Sequence, residues 1–263
     1  MVEQSTLLLR ATIMEGIVLT IVTFVVTMLY IRYFRRRKSA ALSLAVAFTF
    51  WDLANISLFI CRLLEYLKEI GEIVSEIGFS DLGINLGYGF SAISNVFIFL
   101  FVAIVFSQSP MFRRTGMLMP LIFGALNGIT VGMIIGSTTN SWPTPTYDLM
   151  PTIYHLVLTL ISFGTLIGFT IRPLKFASLK WERAGFRFII ASGVFGILIY
   201  ISFVLDLLLG TSFLNVWGHG YTMFFFFAYV LAILMCSSAY LGYVMPNFVR
   251  KWYKDDVEEE STF

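Results

Sequence analysis

The sequence predicts an all-α membrane protein: a seven-transmembrane helix bundle with its N-terminus outside and its C-terminus cytoplasmic. Three observations carry this. The 263 residues are 58% hydrophobic and only 13% charged, with mean hydropathy +0.83, whereas a soluble domain carries roughly 25% charged residues. Seven apolar runs are each long enough to cross the hydrocarbon layer, at about 12–31, 41–65, 83–107, 117–136, 151–171, 188–209 and 221–245. Fifteen of the 18 Lys and Arg residues fall in alternate connections and the tail. They are Arg32, Arg35, Arg36, Arg37 and Lys38; Arg113 and Arg114; Arg172, Lys175, Lys180, Arg183 and Arg187; and Arg250, Lys251 and Lys254. Basic loops stay in the cytoplasm, so an odd number of spans puts the N-terminus outside. Residues 1–245 form the membrane domain, and 246–263 an interfacial helix with an acidic tail.

The first span is retained rather than cleaved. No basic cluster precedes it, and it ends in Arg35-Arg36-Arg37-Lys38 instead of a small-residue cleavage site. Val2 excludes myristoylation, and there is no prenylation box. This span carries Glu15 near its outer end. The second holds Asp52 near its midpoint, with Asn55, Phe59, Arg62 and Tyr66 following on the same helical face. An unpaired charge at such depth costs several kcal/mol, so the stripe looks into the bundle or into water. Beyond it, Tyr66, Ile70, Ile73 and Ile77 recur at helical spacing, and Glu65, Glu69, Glu72 and Glu76 do so on another face. That pattern predicts an amphipathic helix continuing outside the bilayer.

In the third span Gly83, Gly87 and Ser91 make a small-residue line, and Tyr88, Ser91 and Asn95 a polar face. The fourth contains Gly124, Gly128, Gly132 and Gly136 at four-residue steps, a line that lets another backbone approach closely. Tight packing of the third helix on the fourth is expected, with a homo-oligomer interface as the alternative. His155, Thr159 and Ser162 line the fifth span. Asp206 lies near the outer end of the sixth, within reach of Arg62, as is Glu15. Tyr229, Cys236, Tyr240 and Tyr243 line the seventh. Cys61 and Cys236 sit at different depths and are expected to be free thiols. Trp181, Trp252 and Tyr253 on one side, and Trp142, Tyr147 and Trp217 on the other, suit interfacial belts. After Pro246, Phe248 and Trp252 with Arg250, Lys251 and Lys254 suggest a short helix at the headgroup layer. Asp255 to Glu260 form an acidic tip, and Ser261-Thr262-Phe263 loosely fits a carboxylate-capture motif.

Several function classes are disfavoured. With His155 and His219 the only histidines, a zinc site would need Asp148 or Asp206 to complete it. Gly89-Phe90-Ser91-Ala92 resembles part of a rhomboid serine motif but lacks the following glycine, and His219 is expected at the surface. The seventh span has no lysine for a retinal Schiff base. The third and seventh spans end in Phe106-Ser107-Gln108-Ser109 and Tyr243-Val244-Met245-Pro246, not in the motifs of rhodopsin-like G-protein-coupled receptors. No cofactor, metal or nucleic-acid partner is expected.

The exit from the last span runs Tyr240-Leu-Gly-Tyr-Val-Met-Pro-Asn-Phe-Val-Arg-Lys251 and on to Lys254. With the topology, it resembles the seven-helix membrane regions of prokaryotic, especially archaeal, histidine kinases. That resemblance implies a sensor or receptor-like protein of the cell membrane, signalling through a separate cytoplasmic partner. The expected site is an outward-facing pocket for a small or amphiphilic ligand, with Glu15, Arg62, Asp206 and His155 orienting it. Asp52, Asn55 and Asn95 would couple it to the inner face. The alternative is a proton- or cation-coupled transporter or channel using Asp52.

Overall fold

The computed structural model describes residues 2–138, 149–210 and 222–253. Among them there are only helices: α1 (Val2–Arg36), α2 (Ser39–Glu69), α3 (Phe79–Val105), α4 (Pro110–Thr115), α5 (Leu118–Thr138), α6 (Leu149–Phe176), α7 (Lys180–Gly210), α8 (Met223–Val244) and α9 (Asn247–Trp252). All but α4 and α9 are long and apolar enough to cross a membrane, which makes seven candidate spans. Trp142, Tyr147, Asp148, Trp217, His219, Lys254, the acidic tip and Ser261-Thr262-Phe263 lie outside the described residues, as does the side chain of Phe248.

Neighbouring helices close a ring in the order α1, α2, α3, α6, α7, α8 and back to α1. Helix α5 stands outside it, against α3 and α6. The stripe that α1 buries is Ala11, Glu15, Val18, Val22, Val25 and Leu29, at alternating steps of four and three residues. That spacing keeps one side of a 3.6-residue helix facing its neighbours. Glu15 occupies a place in this stripe that an aliphatic residue would otherwise fill.

Close approach is concentrated at glycines: the line expected on the third span takes part, while the line on the fourth largely does not. A Cβ on Gly83 would lie 2.7 Å from the Cys61 Cβ, and one on Gly87 3.4 Å from Leu58, so the small-residue line of α3 packs on α2. Likewise a Cβ on Gly193 would lie 2.8 Å from Ile167, and one on Gly196 2.7 Å from Phe163, joining α7 to α6. The line on α5 behaves differently. Gly128 and Gly132 are exposed, and a Cβ on either would meet nothing within 4 Å. Only Gly124 comes near α3, with Val96 at 3.7 Å, and Gly136 is buried. The face α5 packs with is Phe123, Asn127, Thr130 and Ile134, one residue out of phase with the glycines. The fourth span does pack on the third, as expected, but through Phe123, which stacks on Phe99 at 4.5 Å, more than through its glycines, and the closest small-residue seam joins the second span to the third. Polar Asn127 and Thr130 turn inward, and that rotates the glycine line away.

The amphipathic continuation of the second span also gives way. Helix α2 stops at Glu69, Gly71 takes the left-handed conformation at φ +85°, and Ile73 to Ile77 are non-helical. Glu65 explains the stop. Its carboxylate accepts the backbone N–H of Phe79 at 2.8 Å and of Ser80 at 3.3 Å, so it caps the start of α3. Lys68 closes the same loop by donating to the Ile77 carbonyl at 2.9 Å. These bonds need the chain to turn back, and a continued helix would carry residues 73–77 away from them. Glu65→Ala is expected to destabilise the protein by about 1 kcal/mol, the usual value of a lost helix cap. Denaturant titration of the purified variant in detergent checks it.

At the basic end of the bundle, Arg32 donates to the Val244 carbonyl, the last of α8. Met245 then turns left-handed at φ 42°, and Pro246 is the N-cap of α9.

Candidate functional site

The ionisable side chains inside the bundle fall into three groups. The first lies near the end where α1 begins and α2 finishes. Glu15 is 1% exposed and Arg62 5%. The Glu15 Oε1 accepts from Tyr229 OH at 2.8 Å and from Arg62 Nε at 3.4 Å. Arg62 Nη1 donates to Ser80 Oγ at 3.1 Å, and its guanidinium lies 5.6 Å from the centre of the Phe225 ring. One ion pair therefore joins α1, α2, α3 and α8. The other carboxylate oxygen, Glu15 Oε2, is buried without a hydrogen-bond partner. A buried acceptor left empty forfeits roughly 1–3 kcal/mol, more when charged.

The sequence places Asp206 at the depth of Arg62, but the structure gives it another task. Its Oδ1 accepts Thr222 N at 2.8 Å and Thr222 Oγ1 at 2.6 Å, and Thr222 Oγ1 accepts Phe224 N at 3.2 Å at the start of α8. Asp206 thus ties the end of α7 to the N-cap of α8, while staying near enough to Arg62 to interact with it electrostatically.

The second group is deeper. Asp52, 8% exposed, accepts from Thr23 Oγ1 at 3.1 and 3.2 Å. Its helix neighbour Asn55 does not extend the stripe: the Asn55 amide donates to its own Trp51 carbonyl at 2.9 Å. The expected face from Asp52 to Arg62 lies against α1, with Asp52 on Thr23, the Phe59 ring over Gly16 and Arg62 on Glu15.

The third group joins α3, α6 and α7. His155 is fully buried; its Nε2 is 3.1 Å from Ser91 Oγ, which also hydrogen-bonds Tyr200 OH. The imidazole is flanked by the rings of Tyr88 and Tyr200, at 5.5 and 5.2 Å. Asn95 donates to Thr159 Oγ1 at 2.9 Å, and Ser162 donates to the Asn95 carbonyl at 3.3 Å. A serine beside an imidazole resembles a nucleophile and its base, and the histidine is His155 rather than His219. An activated pair also needs a third group to hold the base. His155 Nδ1 has no hydrogen-bond partner, and the Ser91 hydroxyl is shared with a tyrosine. As arranged, the group is a hydrogen-bond network across three helices.

No family model, curated protein or solved structure matches the chain at a significant level.

A cavity of about 10 Å³ borders the third group, lined by Phe48, Trp51, Ser94, Asn95, Ile98, Phe163, Tyr200 and Met235. That is the scale of one water molecule. Among the described residues no three of His, Cys, Asp and Glu come together as metal ligands, and Cys61 and Cys236 are buried free thiols.

Glu15, Asp52, Arg62, His155 and Asn95 are recognisable from the sequence as inward-facing polar residues. Thr23 and Ser80, which supply partners to Asp52 and Arg62, are not, nor are Thr222 and Tyr200, which bond Asp206 and Ser91. A lone hydroxyl in an apolar helix gives no signal, because it can satisfy itself on the carbonyl four residues back, as Thr20 does at 2.9 Å.

Proposed function

We propose that this chain is a receptor or sensor-like protein of the cell membrane, with the N-terminus outside and the C-terminus cytoplasmic. A small or amphiphilic ligand enters at the end of the bundle bearing Glu15 and Arg62, and the change passes to a separate cytoplasmic partner. The membrane regions of archaeal histidine kinases are the architecture it resembles. The single observation that carries this reading is the Glu15 carboxylate, with one oxygen holding Arg62 and Tyr229 and the other empty. A ligand bringing a hydrogen-bond donor would fill Oε2 and draw on Oε1, so its binding would be felt by α1, α2 and α8 together. Helix α8 then carries the movement to the Arg32–Val244 contact and α9. A ligand shifts a helix arrangement only by the difference in its affinity for the two states, and a half-satisfied carboxylate supplies such a difference.

Asp52 supports a second reading, a proton- or cation-coupled transporter, since it is a buried acid near mid-span with one hydroxyl for a partner. The spanning helices argue for the receptor. Within them Pro173 is in the last turns of α6 and Pro120 in the first turn of α5, so neither interrupts a helix at depth. Two measurements separate the readings. Alkylamines and alkanols of matched chain length would be screened for saturable thermal stabilisation, which is expected in the wild type and lost in Glu15→Gln. Proton or sodium flux into proteoliposomes, abolished by Asp52→Asn, would overturn the receptor reading in favour of transport.

A further inference from the structure

The two ends of the bundle differ in charge. Beside the α2–α3 loop Glu72, Glu76 and Asp81 are exposed. At the other end, around the α6–α7 turn and α9, the exposed side chains include Lys175, Lys180, Arg183, Arg187, Arg250 and Lys251. Glu182 is the only acidic residue described there, and it is half-buried.

Helix α9 is docked in this region rather than hanging from α8. Val249 is 2% exposed, and the Arg250 guanidinium lies 4.6 Å from the centre of the Trp181 ring on α7. A Cβ on Gly185 of α7 would lie 3.5 Å from the methyl of Met245, directly before α9. The docking leaves a mixed surface. Trp252 is 78% exposed and Phe176, at the end of α6, 86%. Exposed aromatic rings beside ammonium and guanidinium groups, at the ends of spanning helices, fit the headgroup layer, where the ring meets glycerol and acyl carbons and the cation meets phosphate.

We propose that this basic, aromatic surface binds the headgroups of anionic phospholipids in the adjoining leaflet, through Lys175, Arg250 and Lys251, with Trp252 and Phe176 seated among the lipids. Charge complementarity selects this occupant. Each Lys or Arg near an anionic membrane surface contributes about 1 kcal/mol, so a cluster of several gives a marked preference for anionic over zwitterionic lipid. The proposal is independent of any ligand at Glu15.

The test uses the full chain in nanodiscs of equimolar phosphatidylcholine and phosphatidylglycerol. Lipids retained after mild detergent extraction are counted by native mass spectrometry. Wild-type protein is expected to retain phosphatidylglycerol in at least fivefold excess. The double variant Lys175→Gln/Lys251→Gln changes two exposed side chains, and the excess is expected to fall to near parity, since each charge removed forfeits about 1 kcal/mol. Seating of the ring is read separately, from quenching of tryptophan fluorescence by brominated phosphatidylglycerol: the quenching is expected to drop in Trp252→Phe and to be weaker with brominated phosphatidylcholine. Equal retention of the two lipids by wild type, or an excess unchanged in the double variant, would overturn the proposal. Either result would leave an acidic protein segment as the occupant to be sought.

Discussion

Replacing Arg62 with methionine is expected to destabilise the protein by about 3–5 kcal/mol, the usual penalty for breaking a buried ion pair from one side. The reason is what remains. Glu15 would keep Tyr229 and lose Arg62, with its second oxygen already empty. A carboxylate that far from water must then either take up a proton or stay charged and unpaired, and both cost free energy. The double variant Glu15→Gln/Arg62→Met is expected to recover more than half of the loss, because a neutral amide still accepts from Tyr229 and no charge is stranded. Reversible unfolding in mixed micelles, analysed as a double-mutant cycle, measures the coupling. Additive effects would mean that the pair contributes nothing as a pair, and ligand coupling through Glu15 would lose its basis.

The second large effect is expected at Gly242. A Cβ there would lie 2.9 Å from the Ile189 side chain, 3.1 Å from the Gly185 carbonyl oxygen and 3.1 Å from the Ile189 nitrogen. Two of these three neighbours are backbone atoms, which cannot rotate aside. Gly242→Ala must therefore push α8 away from α7. About 1–3 kcal/mol of overpacking is expected, against which the gain in helix propensity, roughly 1 kcal/mol, is too small. Gly128→Ala supplies the contrast. It meets nothing within 4 Å, so only the propensity gain remains and the variant is expected to be as stable as wild type or slightly more so. The two alanine variants differ only in what lies across from the new methyl. Parallel thermal unfolding shows whether packing outweighs propensity at each site. Equal stabilities would contradict the α7–α8 contact.

These contrasts also mark what a sequence can carry. The number of candidate spanning helices was legible, because crossing hydrocarbon demands a long apolar run with its backbone bonds satisfied internally, and both are properties of consecutive residues. The inward-facing acids and bases were legible for the same reason: Glu15, Asp52 and Arg62 stand out against apolar neighbours, and the buried stripe of α1 passes through Glu15. Boundaries were less so. The second span runs on to Glu69, but its amphipathic continuation towards Ile77 does not form, because Glu65 turns the chain onto α3, a contact between residues 14 apart. The short helix α4 inside the α3–α5 connection gave no apolar signal.

Partners across helices were decided only in three dimensions. Arg62 had two carboxylates to choose from at its depth. It pairs with Glu15, while Asp206 is held by Thr222 at the α8 cap. Ser91 had no histidine nearby in sequence and found His155 64 residues away. The glycine pattern of α5 was the most regular in the chain, yet a spacing states only that residues share a face. Which neighbour that face meets depends on how the whole helix is rotated, and the burial of Phe123, Asn127, Thr130 and Ile134 settled that rotation. Periodicity along one chain therefore determined the membrane-spanning architecture and the residues that must avoid lipid. Tertiary packing alone decided which of them meet, because pairing depends on helix rotation and depth in several spans at once, and no single stretch of sequence encodes both.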